Sequence, residues 1–394
     1  MTTGSASPLR TPLGSASPAT PGTPGSGRPF CTLTNFGLKL VAHALNEAPD
    51  SNVCLSPFGV AVALGMAIVG SGDATTAQVV HAVGAIDSNN LYRTCEKILS
   101  MLNSSMPNTK VSLGSRLFVS EDIPLLPEFK ETLAETFSVD LGRINFKDNP
   151  QAAAQEINAW AAKATDGNLT HLLRDGDVSE RTRILMVSAI YFRGIFSEPF
   201  CGPVKAPFHI NAKETTQVDM MESCRGALYC RSTRIPCEAI ELSYVCRSLS
   251  LLVILPDKGI ALSKLVAVLS NDAVRRLVKD LQPVPSMAVW LPRFRLRNSY
   301  EMVPALKAVG ITNLFDDHVV DLSRMTGKGT GFAVDNFVHE AFFDTTEKGL
   351  GEPTKPPEPL DASMITFRAN RPFLYVLMHH YNHAVVFMGA VCRP

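Results

Sequence analysis

The sequence predicts a mixed α+β domain, and three observations carry that reading. Helix-period apolar stripes recur between residues 34 and 165, strand-like runs dominate from 184 to 291, and two more runs, Phe373–Met378 and Ala384–Met388, close the chain. Helices and strands segregate and do not alternate as βαβ units, which argues against a doubly wound parallel sheet. No Pro/Gly-rich linker interrupts residues 30–394, so the elements form one large domain, although length alone would allow two or three.

Thr34 precedes Phe36, Leu40, Val41, Ala44 and Leu45, a helical stripe behind a capping residue. Pro57 suits the first turn of a second helix running to about Val69, which Gly70–Gly72 ends. Thr75–Val83, Asn90–Leu102 and Pro127–Phe137 read as further helices, and Pro150–Thr165 as an amphipathic one carrying Ile157 and Trp160, closed by Asp166-Gly167. Strands are expected at Ile184–Phe192, Gln217–Met221, Ala239–Tyr244, Leu249–Leu255 and Met287–Leu291. Leu262–Leu281 and Tyr300–Val309 read as helices, and the apolar, aromatic Phe332–Thr345 as a strand. Leu350–Thr366 is a loop of seventeen residues holding Pro353, Pro356, Pro357 and Pro359, and a loop that long inside a compact domain points to function or disorder.

Residues 1–29 are almost wholly Gly, Ser, Thr, Ala and Pro, with Gly-Ser-Ala-Ser-Pro at 4–8 and again at 14–18. Such a segment cannot bury enough surface to offset its ordering entropy and reads as a disordered tail with Ser-Pro and Thr-Pro steps open to phosphorylation.

Net charge is zero, so no polyanion, nucleic acid or anionic membrane is signalled as a partner. Nine cysteines without a C-x-x-C pair disfavour a zinc site and a full disulfide framework and point to reduced, structural thiols. No apolar stretch follows Arg10 as a secretory signal would, and Val60–Val69 is too short to span a bilayer. Read alone, this gives a soluble, cytoplasmic protein; with an uncleaved internal export signal the sequons at Asn103 and Asn168 would matter.

Catalytic signatures are missing from the sequence: it has no G-x-S-x-G elbow, P-loop or dinucleotide fingerprint, and His339-Glu340 lacks the second His of a zinc-protease helix. His379, His380 and His383 cluster at a turn between strands with no carboxylate or cysteine beside them in sequence. Neither an enzyme nor a cofactor is expected.

An ordered set of short motifs resembles the serpin family. Asn52-Val-Cys-Leu-Ser56-Pro57 is similar to its N-x-x-x-S-P segment, and Ile157-Asn158-x-Trp160 with Thr165-x-Gly167-x-Leu169 to the exit of its helix F. Leu185–Gly194 is similar to a central strand of its large sheet. Val218-x-Met220-Met221, Glu241–Tyr244, Leu255-Pro256-Asp257, Leu291-Pro292-x-Phe294 and Ala305-Leu306 through Gly310-Ile311 to Phe315 follow in order. Val338-His339-x-Ala341, Glu347-Lys348-Gly349, Phe367-Arg368-Ala369-x-x-Pro372-Phe373 and Phe387-Met388-Gly389 complete it. Each motif is weak alone; the collinear set is specific and covers essentially residues 30–394.

The resemblance implies a serpin fold of about nine helices and three sheets, with the reactive-centre loop in 349–366. It implies a monomer that offers this loop to a serine or cysteine protease, inside or outside the cell. Cleavage then lets the loop enter the large sheet as a new central strand and trap the acylated protease, whose own nucleophile does the chemistry. The hinge would be Glu347, Gly349, Leu350, Gly351, Glu352 and Pro353, and Ser56, Ser188 and His339 would lie in the region that gates the sheet. Family spacing counted forward from Gly349 puts the scissile bond at Ser363-Met364; counted back from Phe367 it falls at Asp361-Ala362. The first suits an elastase-like or chymotrypsin-like protease and the second one of aspartate specificity.

The loop's own residues oppose insertion. A central strand donates to its ladder on both sides, and proline has no donor. Four prolines would leave partner carbonyls short at about 1–3 kcal/mol each where buried. In one register Glu352 and Glu358 would face the core, and in the other Lys355. Leu350-Gly-Glu-Pro-Thr-Lys355 replaces the small, β-permissive hinge of inhibitory members, Ser188 stands where the family usually has Asn, and Phe196 where it has Trp. A non-inhibitory member, acting as a protease substrate, binding protein or chaperone, is the alternative to an inhibitor. The Asn90–Leu102 helix carries only Arg93 and Lys97 as cations, so nothing supports a heparin-type site.

Overall fold

In the computed structural model the described residues are 33–394 apart from 105, 138, 140, 328–330 and 350–363, with side chains also left undescribed at 346, 348 and 349. The tail at 1–29 lies outside them, as do Leu350, Gly351, Glu352, Pro353, Asp361, Ala362 and Ser363.

The chain opens with α1 (Leu33–Glu47), which buries the expected stripe of Phe36, Leu40, Val41 and Leu45. β1 (Val53–Leu55) leads into α2 (Pro57–Val69), capped by Ser56 and apolar on all sides, so it is buried almost throughout. α3 (Asp73–Val83) stops at Gly84, whose φ of 77° is the left-handed conformation glycine tolerates. Then come α4 (Ser88–Leu102), β2 (Thr109–Ser120), α5 (Pro127–Phe137), β3 (Gly142–Ile144) and α6 (Pro150–Ala164).

Strands follow: β4 (Ile184–Phe196), β5 (Cys201–His209), β6 (Thr215–Arg231), β7 (Cys237–Ser243) and β8 (Leu249–Pro256). α7 (Leu262–Val268) and α8 (Asn271–Asp280) replace the single helix expected over 262–281. The break falls where Leu269 is extended and the Ser270 hydroxyl accepts from the Ala273 N–H, a local cap that outcompetes continuation. β9 (Gln282–Pro292) and β10 (Arg295–Glu301) precede α9 (Val303–Ala308), which starts later than the expected helix because Tyr300 and Glu301 pair with β11 (Asn336–Gly349). A single helical turn, α10 (Ser323–Thr326), lies before β11; β12 (Thr366–Arg368), β13 (Phe373–His379) and β14 (Val385–Val391) end the chain.

The smaller sheet has the order β10-β11-β4-β2-β3, and the larger runs β1-β14-β13-β8-β7-β6-β9-β12 with β5 on β6. β6 joins two parts of the larger sheet: its first half pairs with β5, its second with β7, and the register with β9 shifts between Arg225 and Ala227. The three expected sheets are thus two hydrogen-bonded networks, one of them bent about a shared strand. In the smaller sheet the pleat splits the side chains between two cores. Met186, Ile190 and Phe192 of β4 and Phe337, Ala341 and Phe343 of β11 face the main core. Leu185, Val187, Val338 and Phe342 face α6, which buries Ala153, Ile157 and Ala161 against them.

Candidate functional site: the sheet gate and the base of the loop

β4 and β11 lie side by side in parallel, from Asn336 opposite Leu185 to Thr345 opposite Gly194, with antiparallel neighbours β2 and β10 outside them. Residues 350–363 leave the end of β11. A strand folding back from that end would run antiparallel to β11 and therefore to β4, so this seam could accept it with antiparallel ladders on both sides. Side chains at odd β11 positions face the main core, so alternate residues of an entering strand would have to be buried there.

Ser56, Ser188 and His339, far apart in sequence, meet at this seam. Parallel pairing sets His339 directly beside Ser188. The Ser56 N–H donates to His339 Nε2 at 2.9 Å, the Ser56 hydroxyl donates to the Val386 carbonyl at 2.6 Å, and the same oxygen accepts from the Gly59 N–H. One serine therefore caps α2 and ties it to both sheets. Because Nε2 accepts, the neutral ring carries its proton on Nδ1, which is fully buried. Burial lowers the His339 pKa to about 4, with the Ser188 backbone opposing the shift, so the imidazole is neutral at pH 7.

Ser115 belongs to the same cluster and was not expected from sequence. It sits opposite Ser188 in the β2–β4 ladder and donates to the Gly59 carbonyl at 3.3 Å, with its oxygen 3.4 Å from the Ser188 hydroxyl. A Cβ on Gly59 would lie 2.7 Å from the Ser188 hydroxyl, so this glycine lets α2 approach β4. The small serine at 188, where an asparagine was the expectation of the family, fits that close approach.

The base of the loop is held at its N-terminal side. Glu347 forms a half-exposed ion pair with Arg293 at 3.5 Å, and its carbonyl accepts from the Phe200 N–H at 3.0 Å. Past Thr345 the register shifts, and Gly349 pairs with Phe196. Phe196 is fully buried, stacked on Tyr244 at 4.8 Å and edge-on to Phe200. Arg225, 5 % exposed, lies over the Phe200 ring and donates to the Glu198 carbonyl and to Ser223. Burial draws its pKa down to about 10, with Glu198 opposing. Neither its burial nor its cation–π contact could be read from sequence, since Phe196 and Phe200 lie well upstream of Arg225 and come beside it only when β6 folds back.

On the C-terminal side Met364 is half-buried with its sulfur 4.0 Å from Cys224 Sγ, and the Ile365 carbonyl accepts from Ala288. β12 then pairs with β9 for three residues and buries Phe367. The two ends of the loop are thus fastened to different sheets. At the histidine turn the fold brings up the carboxylate that the sequence did not place there: His380 Nδ1 lies 2.8 Å from Glu241 Oε1, which raises the His380 pKa. No group of three or more His, Cys, Asp or Glu suited to a metal occurs among the described residues, and the eight described cysteines form no disulfide with one another. No described helix is long and apolar enough to cross a membrane.

The serpin family model, described as serine protease inhibitor, matches residues 32–394. The chain belongs to the serpin family. Human Serpin B9 is 28% identical over 375 residues, covering 92% of this chain and 100% of its own length. The leukocyte elastase inhibitor of Equus caballus is also 28% identical, covering 92% and 98%. Among solved structures, uncleaved ovalbumin superposes with a TM-score of 0.85 at 25% identity, covering 93% of this serpin and all of that chain. A tumour-suppressing serpin superposes at 0.83 with 23% identity, covering 92% and 98%, which bears on the fold alone. The family role is protease inhibition rather than catalysis.

Proposed function

We propose that this serpin presents residues 350–363 to serine or cysteine proteases as a monomer, and that it is cleaved there as a substrate without efficient trapping. It is not itself an enzyme, and it needs no cofactor. The observation that carries this reading is the β4–β11 seam. An entering strand must hydrogen-bond both flanking strands, and Pro353, Pro356, Pro357 and Pro359 remove a donor wherever they fall in that ladder. The hinge at Glu347, Gly349, Leu350, Gly351, Glu352 and Pro353 supplies a charged residue and a proline at the point where insertion would begin. Cleavage at Asp361-Ala362 or Ser363-Met364 follows from the family spacing, and the Ser56, Ser188 and His339 cluster acts as the gate that keeps the seam closed.

The second reading is a trapping inhibitor, favoured by relatives named as leukocyte elastase inhibitors and by a seam whose polarity fits an entering strand. Incubation with elastase-like, chymotrypsin-like and aspartate-specific proteases, followed by denaturing electrophoresis, separates the two. Loop-cleaved serpin with no protease adduct is the expected outcome. An SDS-resistant complex in appreciable yield would establish trapping.

A further inference from the structure

A cavity of about 500 Å³ opens where β12 meets the turn after β8, apart from the sheet gate. Its size suits a small organic ligand. Four cations line it, Arg231, Lys258, Arg368 and Arg371, against two carboxylates, Glu238 and Asp257. The carboxylates are committed. Asp257 pairs with Arg231 at 2.9 Å, and Glu238 lies 3.6 Å from Arg371 and accepts from the Tyr229 hydroxyl at 3.0 Å. Arg371 is further fixed by donating to the Pro256 carbonyl at 2.7 Å.

Lys258 and Arg368 have no carboxylate partner among the described residues, and both are exposed at the cavity wall. Arg368 is nonetheless positioned. It pairs with Trp290 across β12 and β9, and its guanidinium lies over the indole at 4.3 Å. Thr366, two residues back on the same strand face, adds a hydroxyl, and Asn370 adds an amide. The lining therefore carries two more positive than negative charges, with one planar guanidinium held flat and one flexible ammonium.

We propose that this cavity binds a phosphorylated small molecule, with Lys258 and Arg368 holding the phosphoryl oxygens and Thr366 and Asn370 completing the shell. The charge surplus matches a phosphate monoester dianion, whereas a single carboxylate would leave one cation uncompensated. Arginine presents paired donors to phosphoryl oxygens in a way that suits this geometry. The site does not depend on the substrate reading of the loop.

Trp290 makes the test local, since Trp160 is the only other tryptophan. In the full chain carrying Trp160→Phe, titration with phenyl phosphate at low ionic strength should give a saturable change in Trp290 fluorescence. Calorimetry on the unmodified chain should give one site. The double variant Lys258→Gln/Arg368→Gln should bind at least tenfold more weakly, with an unchanged thermal unfolding midpoint because both side chains are exposed. Benzoate should bind at least tenfold more weakly than phenyl phosphate. No saturable binding, equal affinity in the double variant, or equal affinity for benzoate would each overturn the proposal.

Discussion

His339 is the residue whose environment has the clearest consequence in solution. Its folded pKa of about 4 lies below the unfolded value of 6.5, so between these pH values the unfolded chain binds the proton and the folded chain does not. The buried neutral ring therefore contributes stability that is fully present above 6.5 and is lost as pH falls toward 4. The change is on the order of 3 kcal/mol for a fully buried group. His380 works in the opposite sense, because Glu241 raises its pKa, so its contribution is present below 6.5 and is lost as pH rises through its folded value. Urea midpoints measured from pH 7 to pH 4.5 for the unmodified chain and for His339→Gln should isolate the first effect: the unmodified chain loses more stability over that range. Parallel curves would remove His339 from the acid response. Ser56→Ala should cost about 1–2 kcal/mol, since it deletes both the α2 cap and the bond to Val386.

At the scale of elements, α6 is the cover of the smaller sheet, and Ile157 is its fully buried contact with Leu185, Val187 and Phe342. Ile157→Ala should lower unfolding free energy by about 2–4 kcal/mol in denaturant titrations. Ser270→Ala, which removes the cap of α8, should cost about 1 kcal/mol by the same measurement. These two elements also show what was legible in the sequence. α6 could be read because Asn149, Pro150 and the Asp166-Gly167 exit mark both ends of a periodic stripe. The break between α7 and α8 was hidden, because Ser270 falls within a continuous apolar period and its cap depends on one local hydrogen bond.

Strands β1, β2, β3, β5, β10 and β12 carry no clear signal in the sequence, for a related reason. β2 mixes glycine, serine and charged residues, and β5 is mostly exposed, so neither alternates cleanly. Their identity comes from pairing partners distant in sequence. Ser115 was missed with β2, whereas Ser56, Ser188 and His339 could be named because the family motifs mark them. Which hydroxyl reaches which carbonyl required the fold.

For the whole molecule, the question is whether the strand order of the smaller sheet is final. The β4–β11 ladder closes the seam, the Arg293–Glu347 pair ties the end of β11 to the turn before β10, and the Phe196–Tyr244 stack ties the end of β4 to the larger sheet. The described loop ends are anchored to two different sheets, so cutting between them would free one end to move. In a chain with β-permissive loop residues, the freed segment would gain a ladder on each side, at about 1 kcal/mol for each net hydrogen bond. Here prolines and charged side chains offset that gain. Replacing Pro353, Pro356, Pro357 and Pro359 with threonine should therefore increase any stabilisation that follows cleavage, as read by calorimetry of intact and cut protein.

The most direct measurement is the thermal unfolding midpoint of the unmodified chain before and after a single cut at Asp361-Ala362 or Ser363-Met364. The expected result is a change of only a few degrees, corresponding to about 1 kcal/mol or less in a domain of this size. A rise of roughly 10 °C or more would mean that many new backbone hydrogen bonds had formed, that the loop enters the β4–β11 seam despite its prolines, and that the substrate reading is wrong.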